Sequence, residues 1–478
     1  LLTVIPKNKI TRGKITDSMM PFSEVAVMDK NSEYRGVPPM ELMENAGKAL
    51  ADVLMERYPD SRFLFICGTG NNGGDAYVAA RYLSDKDVLV YLLKGKEAIR
   101  SEIAWQNFGR LECDITDELD WEGLEGFVIV DGMLGTGVQG SIREPYRSVI
   151  QKINKMDAPV VSIDVPSGLG ADLAVEPDLT VTFHEVKEGM DRDNCGEIIV
   201  KSIGVPDEAV LHTGPGEVLL YPRPTETSYK GQNGRLLVIG GGPYTGAPAL
   251  VAKAAYRTGV DLVHVAVPSR ISSVVAGYDP HHIVHPLKGD KVLPGHVDKL
   301  VKIVEHCDAV VIGPGLGRDD ATLETVSRLL ELITIPKVID ADALMAVPEA
   351  DIAGDAVLTP HRGEFRVISG IDDFKEEDVD EFAAEHRLTI LLKRDVDYMT
   401  DGERYKLNDF GSPTMTVGGT GDTLAGVVGA LLSKGMTSFD AARVGAYVTC
   451  RAGELAFEEF GWGTLPGDIQ EFIPKVIG

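Results

Sequence analysis

Apolar and polar positions run along this chain in two alternating rhythms. In residues 42–58 the apolar positions Leu42, Ala46, Ala49, Leu50, Val53 and Leu54 make the single stripe of an amphipathic helix. Residues 62–67 (RFLFIC) are instead one short apolar run, as in a strand buried on both faces. The alternation continues with a predicted helix at 76–83, a strand at 88–93, a helix around 101–111, and strands at 127–130 and 160–163. Such alternation predicts a parallel sheet covered on both sides. Residues 214–227 then bring Pro215, Pro222 and Pro224 with few apolar anchors, the look of a linker. A second series follows: a strand at 235–239, a helix at 247–258, and strands at 262–267, 309–312, 336–339 and 389–392. No fixed period relates the halves. The expectation is an α/β chain with an N-terminal extension at 1–20, a first domain at 21–212, a linker at 213–227 and a different second domain at 228–478.

In open parallel sheets ligands bind outside the carboxyl ends of the strands. Three strands of the first half run into polar, glycine-rich turns, at 71–75, 131–137 and 164–168. Residues 68–73 satisfy the GxGxxG pattern, but the next strand ends at Lys94 with no acidic residue placed for a ribose hydroxyl. Asn72, Asp131 and Ser167 each follow a strand end, and their oxygens suit a hard cation. Plain turn chemistry would use the same residue types. Asp164, between a buried strand and a Pro turn, is the candidate for proton transfer, ahead of Lys187 and His184. In the second half the stretch 416–426 (TVGGTGDTLAG) is a glycine-rich loop opening a helix. Its free N–H groups and helix dipole suit a phosphate. Asp422 stands there either as a base for an attacking hydroxyl or as a mere helix cap.

Composition narrows the classes. At 478 residues two or three domains are expected, and 52 glycines suit an α/β protein with many tight loops. The net charge of −26 argues against a nucleic-acid partner. Five scattered cysteines without a CxxC pair indicate neither a disulfide framework nor a zinc site, and point to a reducing cytoplasm. No apolar run reaches membrane-spanning length, so no membrane partner is expected. The basic leader has too short an apolar opening for a secretory signal.

The run 67–75 (CGTGNNGGD), with 42–47 (LMENAG), 131–137 (DGMLGTG), 162–168 and 180–187 (TVTFHEVK), resembles the NAD(P)H-hydrate epimerase (YjeF N-terminal) family over about 21–207. That resemblance implies a Rossmann-like three-layer sandwich and a potassium site at Asn72, Asp131 and Ser167. It implies substrate contacts at Asn71, Asn72, Gly73, Gly74 and Asp75, and at Gly135, Thr136, Gly137, Val138, Gln139, Gly140 and Ser141. Asp164 and Lys187 would be catalytic. Ala76 departs from the family, which usually has another glycine there.

The second half resembles the ADP/ATP-dependent NAD(P)H-hydrate dehydratase family, of ribokinase-like α/β/α fold, over about 228–474. The motifs are 230–231, 237–241, 244–248, 313–317 (GPGLG), 340–343 (DADA), 359–364 (TPHRGE) and 419–422 (GTGD). It implies hydrate contacts at Ala247, Gly315, Gly317, His361 and Asp422. Adenine-nucleotide contacts would fall at Lys393, Arg394, Asp395, Val396, Asp397, Gly419, Thr420 and Gly421, with Mg2+ accompanying ADP or ATP. Arg394 stands where the family usually has glycine. Together the resemblances imply a homo-oligomeric repair enzyme for hydrated NADH and NADPH, with Asp422 as the base. The alternatives are a ribokinase-like small-molecule kinase, or a non-catalytic, RNA-associated scaffold.

Overall fold

The computed structural model describes residues 19–138 and 140–478, so most of the expected extension and Gln139 lie outside the described residues. The chain forms two compact units that divide between Val210 and Leu211.

The first unit is built on seven strands, all parallel: β1 (Arg62–Cys67), β2 (Val88–Leu92), β3 (Asp114–Thr116), β4 (Phe127–Gly132), β5 (Val160–Ile163), β6 (Leu179–Phe183) and β7 (Glu197–Lys201). Side chains alternate across a strand, so β1 feeds two cores at once. Phe63, Phe65 and Cys67 enter one core, Leu64 and Ile66 the other. The spatial order β3-β2-β1-β4-β5-β6-β7 reverses direction between β1 and β4. A crevice at the carboxyl ends of those two strands is where such a sheet binds its ligand.

The helix after β1 starts at Asn71, five residues earlier than the pattern predicts, and runs to Tyr82. Its early glycines serve packing. A Cβ on Gly73 would stand 2.5 Å from the Gly68 carbonyl oxygen, and one on Gly74 2.4 Å from Met43 Cε. Ala76 is fully buried and faces Gly132, where a Cβ would lie 2.9 Å from its own methyl. The extra methyl is thus accommodated by a glycine on β4.

The second unit has a nine-stranded sheet: β8 (Arg235–Ile239), β9 (Leu262–Pro268), β10 (Ile283–Leu287), β11 (Ala309–Ile312), β12 (Lys337–Ile339), β13 (Ala356–Leu358), β14 (Thr389–Leu392), β15 (Asp397–Thr400) and β16 (Tyr405–Asn408). The order is β10-β9-β8-β11-β12-β13-β14-β15-β16, and the last two strands are antiparallel additions. Here the switch lies between β8 and β11. The helix Thr420–Ser433 is apolar all round because it is buried between the helices Gly246–Arg257 and Ser438–Phe460. Close approach requires its glycines: a Cβ on Gly426 would stand 2.4 Å from the Val251 carbonyl oxygen. Each Leu or Val it buries contributes about 1.5–3 kcal/mol.

The expected linker needs correction, since its first half belongs to the second unit. Thr213 donates to Asn408 Oδ1 (2.8 Å), and fully buried Glu217 lies 3.6 Å from Lys406 and 3.8 Å from Arg443. A Pro-rich composition hid these anchors. Among the described residues no helix is long and apolar enough to cross a membrane.

Candidate active sites

At the switch point of the first sheet a cleft of about 610 Å3 opens. Thr69 to Asn72 line it beyond β1, and Met133 to Val138 beyond β4. Its charged floor is an ion pair: Lys187, 1% exposed, donates to Asp164 Oδ1, to Thr182 Oγ1 (2.9 Å) and to the Phe183 carbonyl oxygen (2.6 Å). Asp164 Oδ1 also accepts the Phe183 N–H at 3.2 Å. Asp164 adopts φ 61°, a left-handed conformation uncommon for a non-glycine residue and often kept at functional sites.

Two more carboxylates line this space, Asp75 and Asp29. Burial, then the charges of Asp164 and Asp29, hold the Asp75 carboxyl well above its usual range. Burial first and Asp164 second push Asp29 up to about 6, with Lys187 opposing.

Asn72, Asp131 and Ser167 also meet. The Ser167 hydroxyl donates to Asp131 Oδ1 (2.5 Å), and its Oγ accepts the Leu134 N–H (2.8 Å). Asn72 Nδ2 donates to the carbonyl oxygens of Leu134 (3.1 Å) and Ile163 (3.2 Å). Burial raises Asp131's carboxyl against the opposing hydrogen bonds from Ser167, Met133 and Ser162. Turning the Asn72 amide over would aim its oxygen at two carbonyl oxygens, an arrangement that makes sense only around a cation. With the amide so turned, Asn72, Asp131 and Ser167 would offer oxygen donors, the chemistry of a hard cation rather than a soft one.

Other expected contacts fall elsewhere. Gly73 and Gly74 are buried packing positions, and Gly140 and Ser141 are not in the cleft wall. His184 is a strand-end residue at φ 66° whose ring burial keeps neutral. Asp29 and Arg100, both cleft-lining, were missed. Each lies on a helix face or solvated loop with no motif to announce it.

The second unit assembles its site at the carboxyl ends of β8, β11, β12, β13 and β14. Lys393, following β14, donates to Asp340 Oδ1 (3.0 Å), which also accepts the Thr359 hydroxyl (2.7 Å). Burial alone would lower the Lys393 ammonium, but Asp340, Glu364 and Asp422 together raise it. Gly419 takes φ 104° ahead of the helix Thr420–Ser433, and a Cβ on Gly421 would lie 3.5 Å from Lys393 Nζ. Asp422 sits in the first turn and makes no capping bond. Burial, then the charge of Asp340, raises its carboxyl to about 7, with Lys393 pulling the other way. Ala247 and Gly315 approach each other, a Gly315 Cβ falling 3.2 Å from Ala247 Cβ, while the Gly317 N–H is held by Asp342 Oδ2 (2.9 Å).

His361 is the helix-capping residue of Arg362–Ser369: its Nδ1 accepts the N–H groups of Gly363 (3.0 Å) and Glu364 (3.1 Å). In the segment expected to contact the nucleotide, several side chains have protein partners. Asp397 is a buried strand residue accepting from the Arg394 N–H and Asn408, and Arg394 turns back to Glu376 (2.6 Å) and the Val396 carbonyl. Asp397 and Asn408 belong to the β15–β16 hairpin and Glu376 opens the helix Glu376–His386, while Asp395 is exposed. Thr420 is tied to the Val417 carbonyl (3.0 Å).

Two largely parallel sheets, each with a Lys–Asp pair beyond the carboxyl ends of its strands, define a two-domain α/β enzyme. A family model described as YjeF-related protein N-terminus matches residues 39–189, and one described as NAD(P)H-hydrate dehydratase matches residues 236–475. The chain is 41% identical over 497 residues to the bifunctional NAD(P)H-hydrate repair enzyme of Methanothermobacter thermautotrophicus, covering 96% of each chain. It is 40% identical over 466 residues to that of Archaeoglobus fulgidus, covering 95% of this chain and 97% of the relative. The chain belongs to the family of bifunctional NAD(P)H-hydrate repair enzymes. A solved ribokinase-like superfamily protein of Enterococcus faecalis shares the fold over 56% of this chain and 95% of its own, with TM-score 0.51 at 22% identity.

Proposed function

We propose that the first unit interconverts the R and S hydrates of NADH and NADPH, and that the second dehydrates the S form using ADP or ATP. The observation that carries this reading is the edge of the second sheet. There an unpaired Asp422, with its carboxyl near 7, opens a helix beside Lys393 and a glycine loop of free N–H groups. Asp422 takes the proton of the substrate hydroxyl, a task for which a base near neutrality is suited. Lys393 and the loop N–H groups draw charge off the phosphoryl group as it transfers. Phosphate is a better leaving group than hydroxide, so its elimination restores the ring double bond. Mg2+ would arrive with the nucleotide and screen its phosphates; Asp340 and Glu364 are the carboxylates chemically suited to hold it.

In the first unit Asn72, Asp131 and Ser167 would hold potassium, which when bound supplies a fixed positive charge at the cleft. Arg100 and the helix start at Asn71 suit the dinucleotide's phosphates. The division at Val210 and Leu211 supports one activity per unit. Five free cysteines agree with action in the cytoplasm, and a homo-oligomer free of nucleic acid and membrane is the expected setting. The test is to supply mixed hydrates with ADP or ATP and follow the return of reduced-nicotinamide absorbance. Complete return of both epimers is expected. A stable phosphoester, or return of none, would replace the reading with a kinase.

A further inference from the structure

The helix Phe22–Tyr34 lies ahead of the residues matched by the family model, yet it is fastened to the first site. Met20, two residues before it, pairs with the Lys187 segment: the Met20 N–H donates to the Val186 carbonyl (2.8 Å), and the Glu188 N–H donates to the Met20 carbonyl (2.8 Å). Val27, Met28, Asn31 and Ser32 bury the inner face of the helix. Asp29 is thereby held in the cleft wall with Asp75, Asp164 and Lys187.

We propose that Asp29 is a catalytic acid of the epimerase, exchanging a proton with the hydroxyl of the hydrate. The inference rests on the epimerase reading above. Its basis is charge balance within one cleft. The buried ammonium of Lys187 is committed to Asp164, and among the described residues neither Asp29 nor Asp75 forms an ion pair with a lysine or arginine. Neighbouring carboxylates in a low-dielectric space cannot all ionise together. Burial and the neighbouring carboxylates raise Asp75 well above its usual range and Asp29 to about 6. Carboxyls in one cleft whose environments differ in this way are the pattern that sorts acid from base roles. The other lining charge, Arg100, and the lining phenol Tyr146 are not among the groups that shift Asp29.

The chemistry asks for such an acid. Water added across an enamine double bond leaves its hydroxyl on the carbon attached to nitrogen. Asp29 gives its proton to that oxygen. The C–O bond breaks with its electron pair leaving on water, and the nitrogen lone pair forms a C=N bond. The carbon is now planar. Water adds to either face, the C=N pair returns to nitrogen, and the proton released goes back to the Asp29 carboxylate. No oxidant or reductant is needed. The carboxylate of Asp164 offers the cationic intermediate a fixed opposite charge.

The test follows R-to-S interconversion of purified NADH hydrate by the full chain between pH 5 and pH 8, with the uncatalysed rate subtracted (the range brackets a carboxyl at about 6). The parent's kcat/KM should fall as pH rises through about 6. Asp29→Asn should lose about 10²–10⁴-fold and the falling limb with it, with an unchanged circular-dichroism spectrum. Asp29→Glu should keep part of the rate with the limb displaced. An Asn variant within a few-fold of the parent, or a Glu variant whose limb stays in place, would overturn the role of Asp29. If Asn does not fold, the Glu limb decides alone. A parent that does not interconvert the epimers at all would instead sink the epimerase reading.

Discussion

The two sites solve related problems with the same parts placed differently. Each has a lysine paired with one aspartate at the carboxyl edge of a parallel sheet, and each keeps another aspartate unpaired and shifted toward neutrality. In the first unit the pair is knitted by one neighbourhood, Asp164 after β5 and Lys187 after β6. The unpaired Asp29 comes from a helix outside the sheet, apart from the glycine-rich turns that line the same cleft. In the second unit the unpaired Asp422 opens a helix whose free N–H groups face the same space. The lesson is one of placement: in the first unit the shifted carboxyl stands on a separate helix, a position for proton exchange, whereas in the second it stands in the first turn of the helix whose N–H groups suit a phosphoryl group.

The comparison breaks most sharply at Asp422. Asp422→Asn keeps shape but cannot accept a proton, so dehydration of the S hydrate should fall about 10²–10⁴-fold. Epimerisation should continue, so the hydrates would equilibrate without returning to the reduced coenzyme. Because burial raises this carboxyl, the folded state holds its proton between the unfolded value near 3.8 and about 7, and stability on its account is lost as pH rises through that window. The Asn variant should therefore melt slightly higher than the parent at pH 8, above the carboxyl's value of about 7. Dehydration within a few-fold of the parent would leave the second site without its base.

The lysines sharpen the contrast next. Lys187 is 2% exposed against 15% for Asp164, so Lys187→Met strips a buried pair and should destabilise the first unit by about 3–5 kcal/mol. Lys393 is 23% exposed, and Thr359 still bonds Asp340, so Lys393→Met should cost clearly less. It should instead move the pH midpoint of dehydration upward from about 7, because Lys393 is what lowers Asp422. Thermal melts and pH profiles of both variants check this. Equal losses in melting temperature would mean that the two pairs are the same device.

Much of this was legible before any coordinates. The unbroken apolar runs of β1, β8 and β11 marked strands buried on two faces, and the turns after β1, β4 and β5 marked the carboxyl edge of the first sheet, whereas the strand orders that place the switch points depend on contacts distant in sequence. Asp422, Asp164 and Lys187 stood inside motifs and could be named as candidates. Three things were not legible. Asp29 sits on a helix of weak amphipathicity and gains its character only from charges distant in sequence. Asp397 lies in a loop-like segment but forms the start of β15, where Asn408 claims it. The early helix start at Asn71 was masked by four glycines in residues 68–74, which signal a turn by composition but here let a helix approach β1 and Met43 closely.

The smallest expected effect falls on His361, where structure and chemistry compete for one ring. Nδ1 caps the helix Arg362–Ser369, and the residue bridges to the Lys393 segment, whose N–H donates to the Pro360 carbonyl at 2.8 Å. His361→Ala removes the cap and should cost on the order of 1 kcal/mol of stability. His361→Asn restores a good capping oxygen but not the exposed Nε2 face, 59% of the side chain being open to solvent. If the ring also touches the hydrate, Asn should recover the melting temperature while the KM for the S hydrate stays raised. If capping is its whole task, Asn should recover both. The first unit offers no equivalent, since its Lys187 is held by side chains and a carbonyl rather than through a capped helix. A variant that caps but does not bind would show that the second site, unlike the first, tolerates separation of its scaffold from its contacts.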